Sequence, residues 1–307
     1  MTKERPRNLA ASVQRRLLNL ARTRNEDFQL VLLRYALERL LYRLSQSEYR
    51  DVFVLKVAML FQLWGDHPHR STRDLDLLGR GNNSIPRFEQ IFREVCQLKV
   101  EDDGLMFIAD SVRGDVIKEA QEYEGLRLTF DCRSGNARIP IQIDIGFGDV
   151  VTPAAAEVIY PVLLDFPSPV LPAYSRESVI AEKFQAMVML GIANSRMKDF
   201  YDLWVLARQF EFQGPLLCQA IRATFERRRT PVSAEVPVAL SPEFAQDRVK
   251  QTQWQAFVGK SKLETNGDGL VEVVAVLHDF LMPAAQAIAT GRVLEQVWPA
   301  SGPWQPQ

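Results

Sequence analysis

The stretch RSTRDLDLL, residues 70–78, sets Asp74 and Asp76 on either side of Leu75 inside an apolar run. A carboxylate withdrawn from water is costly unless it is paired or bound to a cation. Residues i and i+2 of a strand face the same way. On a strand, Asp74 and Asp76 would therefore project together, with Leu75 and Leu77 on the other side. A third carboxylate obeys the same geometry. In ARIPIQIDIGF, residues 137–147, Ile139, Ile141, Ile143 and Ile145 alternate onto one face and Gln142 and Asp144 onto the other.

If the two strands are neighbours, three carboxylates converge. Like charges at that range repel and raise one another's pKa. A divalent cation removes the conflict, and an oxygen-only donor set suits Mg²⁺ or Mn²⁺ held against a substrate phosphate. The plainer alternative is a pair of surface aspartates matched to Arg70 or Arg73.

A second charged cluster lies at residues 177–206, ESVIAEKFQAMVMLGIANSRMKDFYDLWVL, with Lys183, Arg196, Lys198, Asp199 and Asp202. Lys198 and Asp202 are spaced to share a helix face, where a surface ion pair carries little energy. Lys183 stands among Ile180, Phe184 and Met187 and needs an anionic partner there, a role that a triphosphate could fill. Arg227, Arg228 and Arg229 suit either an RNA backbone or a solvated helix end. His67 and His69 read as loop residues.

These groups need elements to carry them. Residues 28–44 repeat apolar side chains (Leu33, Leu37, Leu40, Leu41, Leu44) at helical spacing. Residues 53–56 read as a short buried strand, 57–64 as the helix after it, and 73–78 as a second strand. Ser84 and Pro86 open a helix running to about Leu98. LRLTFDC and ARIPIQIDIGF flank RSGN, a hairpin signal. Prolines 153, 161, 167, 169 and 172 then break the chain too often for regular elements and mark a crossing between domains. Beyond them, helices are expected over 176–190, 198–210, 215–228, 243–258 and 270–289. Trp64, Trp204 and Trp254 fall on apolar helix faces as core.

Two domains suit a chain of 307 residues, since domains usually run about 100–200 residues. Net charge is -1, so a nucleic-acid contact would need a local basic patch rather than a global field. The three cysteines, Cys96, Cys132 and Cys218, have neither disulfide-framework nor zinc spacing, which fits a reducing cytoplasm. No stretch approaches the roughly 18 uncharged apolar residues of a membrane span, and the first residues lack a signal-peptide core.

FVLKVAMLFQLW with RSTRDLDLL, PIQIDIGFGD, ESVIAEKFQAMV and SRMKDFYDLW resemble, in order and spacing, the AbiEii/AbiGii toxin family of nucleotidyltransferases over roughly residues 28 to 290. The resemblance implies an α+β fold: a nucleotidyltransferase domain of the DNA polymerase β type with a small mixed sheet and N-terminal helices over 1–165, then a helical domain over 166–307 that completes the active site. It implies a toxin of type IV toxin–antitoxin and phage-defence systems, paired with an AbiEi-type antitoxin. Its substrate would be an NTP with Mg²⁺ or Mn²⁺, and its acceptor in several relatives is the tRNA 3′ end.

Residue by residue, Asp74 and Asp76 match the metal-binding pair and Asp144 the third acidic position. Lys183 matches the AEK lysine that contacts triphosphate, and Lys198, Asp199 and Asp202 match the KDxxD motif. Lys56 and Arg73 are further candidates for the phosphates. The chain departs from the pattern at Lys56-Val57-Ala58-Met59, where the family has Lys-Gly-Gly or Lys-Gly-Ala, often followed by a hydroxyl residue. Glycine there lets backbone N–H groups approach phosphate, whereas valine crowds the turn and resists positive φ. That departure keeps open a weakened nucleotide- or antitoxin-binding protein, and the same geometry also serves transfer to a protein hydroxyl.

Overall fold

The computed structural model describes residues 8–64, 72–119, 123–261, 263, 265 and 267–306, with the backbone alone at 57, 58, 118, 119, 123 and 124. The chain divides into two compact units, one of residues 1–148 and 156–173, the other of 149–155 and 174–307.

The first unit holds helices α1 (Leu9–Thr23) and α2 (Phe28–Gln46), strand β1 (Phe53–Leu55), helix α3 (Val57–Trp64), strand β2 (Leu75–Gly79) and helix α4 (Ile85–Gln97). Strands β3 (Met106–Phe107), β4 (Arg113–Glu119), β5 (Tyr123–Ser134), β6 (Ala137–Phe147), β7 (Ala156–Ile159) and β8 (Val170–Ala173) follow. They form one mixed sheet in the order β3-β5-β6-β2-β1-β8-β7, with β4 on β5. The β2–β6 and β1–β8 pairs are parallel and the others antiparallel.

The alternation in β6 does what it predicts: all four isoleucines are at most 3% exposed. The β5–β6 hairpin turns at Gly135, whose φ of 53° suits a residue without a side chain. Two expectations about the strands change. The second strand starts at Leu75, not Arg73, so Asp74 sits at the bend leading into it. The proline-rich stretch is not wholly irregular, because it carries two strands, β7 and β8, that pair with each other. Pro172 lies within β8, the strand that closes on β1 through Leu55 and Ala173.

Helix α2 buries more than its leucines. Glu38, Arg39 and Arg43 are buried with Asp103. Asp103 accepts from Arg39 Nε at 3.1 Å and from Arg43 Nη1 and Nη2 at 2.6 and 3.0 Å. Two guanidiniums on one carboxylate satisfy charges that the apolar core could not hold alone.

The second unit is mainly helical: α5 (Arg176–Leu190), α6 (Met197–Gln209), α7 (Gly214–Arg227), α8 (Pro242–Gln246), α9 (Arg248–Ser261) and α10 (Leu270–Ala289). A short sheet of β9 (Phe212–Gln213), β10 (Gln296–Trp298) and β11 (Gln305–Pro306) joins them. The helix expected over 243–258 is two, broken at Asp247, whose carboxylate accepts the Lys250 N–H at 2.9 Å. Ser175 caps α5 by accepting the Ser178 N–H at 3.1 Å.

Among the described residues α10 alone is long and apolar enough to cross a membrane, and half of that span is buried in the fold. It packs on α6, α7 and α8 as a core helix does. Trp204 and Trp254 are core, while Trp64 is only half-buried. All three cysteines are buried.

Candidate active site

Strands β2 and β6 run side by side and parallel, and their register sets Asp76 directly opposite Asp144. Leu75 and Leu77 turn into the core at 0% and 1% exposure, leaving half-buried Asp76 on the other face. Lys56, the buried residue after β1, donates its backbone N–H to the Asp76 carbonyl at 3.0 Å, which ties the β1–α3 turn to the D-x-D strand. At the bend, the Thr72 hydroxyl donates to the Asp74 carbonyl at 3.1 Å and accepts the Asp74 N–H at 3.4 Å. Arg73 is exposed.

The hairpin adds a residue that the motifs do not contain. Arg127 on β5 is the direct partner of Asp144, so Arg127, Asp144 and Asp76 form one row across three adjacent strands. Its guanidinium forks onto the carboxylate, Nε to Oδ1 at 2.8 Å and Nη2 to Oδ2 at 2.7 Å. Such bidentate, charge-assisted pairs are the strong ones. The bond to Asp144 raises the Arg127 pKa, the negative charges of Asp144, Asp74 and Asp76 add to it, and desolvation opposes it. The hairpin turn gives the signal that could have found it: Arg127 and Asp144 each lie seven residues from the closing pair, Ser134 and Ala137.

The donor chemistry of Asp74, Asp76 and Asp144 fits a hard divalent cation, because all three offer carboxylate oxygen. Closure is incomplete: both Asp144 oxygens face Arg127, and among the described residues no three His, Cys, Asp or Glu groups gather around one point.

The other cluster belongs to the second unit. Lys183 on α5 and Asp199 and Asp202 on α6 are all buried. Lys183 Nζ stands 2.5 Å from Asp199 Oδ1 and 2.9 Å from Asp202 Oδ2. The anionic partner that Lys183 requires is thus supplied by the chain itself. Lys198 is exposed, and the contact of Asp202 is to Lys183 rather than to the residue one turn away. Arg228 does not stand in solvent: it donates to Asp149 Oδ1 at 2.9 and 3.1 Å and to Gln185 Oε1 at 2.9 Å. Arg227 and Arg229 are exposed. The Val57 side chain, Arg70, His67 and His69 lie outside the described residues. Met59, by contrast, is fully buried beside the Tyr160 hydroxyl.

Residues 39–276 match the family model described as "Nucleotidyl transferase AbiEii toxin, Type IV TA system". The chain belongs to the AbiEii family. Membership places it among the nucleotidyltransferase toxins of type IV toxin–antitoxin systems, whose toxins have an antitoxin partner, and its mixed sheet with flanking helices is the α+β architecture of that class. Two solved structures from Helicobacter pylori are similar at low identity. JHP933 shares 14% identity with a TM-score of 0.49, over 86% of this chain and 94% of that one. A candidate nucleotidyltransferase shares 15% with a TM-score of 0.48, over 86% of this chain and 96% of its own. No curated protein matches the chain.

Proposed function

We propose that this AbiEii protein transfers a nucleotide from an NTP to an acceptor hydroxyl on RNA, with the tRNA 3′ end as the favoured acceptor. The observation that carries the reading is the register of Asp76 against Asp144, which brings the D-x-D strand beside the strand of the third aspartate. In this reading Asp74, Asp76 and Asp144 hold Mg²⁺ or Mn²⁺. The metal, when bound, supplies charge to the phosphates and acidity to the attacking hydroxyl.

The acceptor oxygen forms a bond to the α-phosphorus as the bond to the bridging oxygen breaks, and pyrophosphate leaves. The hydroxyl proton passes to Asp144 as base. Lys56 and Arg73 supply positive charge near the D-x-D strand. Lys183, held by Asp199 and Asp202 within the second unit, enters this reading as a triphosphate contact through its AEK motif alone, and Lys198 is exposed. Action in the cytoplasm beside an AbiEi-type antitoxin and a role in phage defence complete the reading.

The test is incubation with Mg²⁺, total RNA and each labelled NTP separately, for the wild type and Asp76→Ala. Labelled RNA from the wild type alone is the expected outcome. Labelling that persists in a folded Asp76→Ala removes the mechanism, and label on protein identifies a Ser, Thr or Tyr acceptor instead. A second reading, nucleotide or antitoxin binding without turnover, draws support from the engagement of both Asp144 oxygens by Arg127. It is distinguished by Val57→Gly, which would then gain activity.

A further inference from the structure

We propose that Arg127 is a positioning residue that competes with the divalent cation for Asp144, so that the nucleotide-free protein binds metal weakly. The inference rests on the metal site of the proposed function and adds a control on its loading. It starts from the row Arg127–Asp144–Asp76, in which each residue is the register partner of the next. The fork uses both oxygens of Asp144, at 2.8 and 2.7 Å, and so fixes the carboxylate's orientation as well as its charge.

A purely structural cross-strand pair would need only that contact. Arg127 has more, because the charges of Asp74 and Asp76 also act on it. One guanidinium is therefore seated on Asp144 and also feels the charges of Asp74 and Asp76, so the site carries its own counter-charge. A divalent cation entering there meets a cation already seated on one of its ligands, and the two repel. Asp144 must then be shared or released, and either costs binding. A nucleotide tips the balance, since its phosphates bring negative charge that offsets the repulsion between metal and guanidinium. The site would accordingly load metal together with NTP rather than ahead of it.

The experiment measures Mn²⁺ alone, without nucleotide, from the electron paramagnetic resonance signal of free Mn²⁺ over the wild type, Arg127→Gln, Arg127→Lys and the double variant Arg127→Gln with Asp76→Asn. Arg127→Gln is expected to bind Mn²⁺ about tenfold more tightly than the wild type, because the competing charge is gone. Arg127→Lys keeps a charge but cannot fork, and is expected to fall between the two. It also serves if the glutamine variant fails to fold. Equal or weaker binding by whichever of these variants folds overturns the proposal. In the Arg127→Gln background, Asp76→Asn should abolish the added binding. If it does not, the cation sits elsewhere and the metal-site reading itself fails.

Discussion

Lys183 is shared by two acids: its ammonium lies between Asp199 and Asp202, which are three residues apart on α6 and buried. Among the described contacts one ammonium serves two carboxylates, so the members of the cluster are unequal. Loss of the lysine leaves two buried carboxylates without their shared counter-charge, whereas Asp199→Asn leaves the Lys183–Asp202 pair whole. Lys183→Met is therefore expected to cost about 3–5 kcal/mol, and Asp199→Asn about 1 kcal/mol. Urea denaturation followed by circular dichroism reads both, and equal costs would refute the shared-ammonium account. The comparison also separates folding from function, since an inactive Lys183 variant counts as a nucleotide-contact defect only where it remains folded.

Asp103 is the hub of the buried charges beneath α2. Asp103→Ala strands Arg39 and Arg43 in the core and is expected to lower stability by about 3–5 kcal/mol. Asp103→Asn should cost less, because its amide oxygen still accepts one guanidinium. The melting temperatures of the two variants decide the order.

Glu38 adds a pH dependence. Burial raises its pKa from 4.5 to about 8, against the Leu163 N–H bond and Arg39, which pull it down, Asp103, which adds to the rise, and Arg34, which opposes it. The folded state therefore holds a proton that the unfolded state releases. The stability this contributes is complete below pH 4.5 and is lost as pH rises through about 8. Glu38→Gln keeps an acceptor for the Leu163 N–H, which the wild-type residue binds at 2.7 Å. That variant should lose less stability than the wild type between pH 5 and pH 9. A wild type and variant with parallel stability–pH curves would show that Glu38 is charged throughout.

Alternation and helical spacing carried most of the local structure. The isoleucine row of β6 and the helices at 176–190 and 270–289 follow from side-chain period alone. So does the shared face of Asp76 and Asp144, although period says nothing of which strands are neighbours; the parallel β2–β6 pairing is a tertiary fact. The same limit hid Arg127, whose partner lies across a hairpin rather than along the chain. It also hid the true partners of Lys183, because the nearest charge in sequence spacing, Lys198 with Asp202, is not the contact that burial selects. Strands β7 and β8 are not legible locally because proline reads as a breaker, and only the pairing of β8 with β1 and β7 shows Pro172 inside a strand.

The most direct test of nucleotidyl transfer uses one NTP labelled in turn at the α- and the γ-phosphate, with wild type and Asp76→Asn protein. The account predicts that α-label stays on the acceptor, that γ-label leaves in pyrophosphate, and that Asp76→Asn gives neither product. Transfer of the γ-label to the acceptor, or α-label incorporation by a folded Asp76→Asn protein, would contradict it.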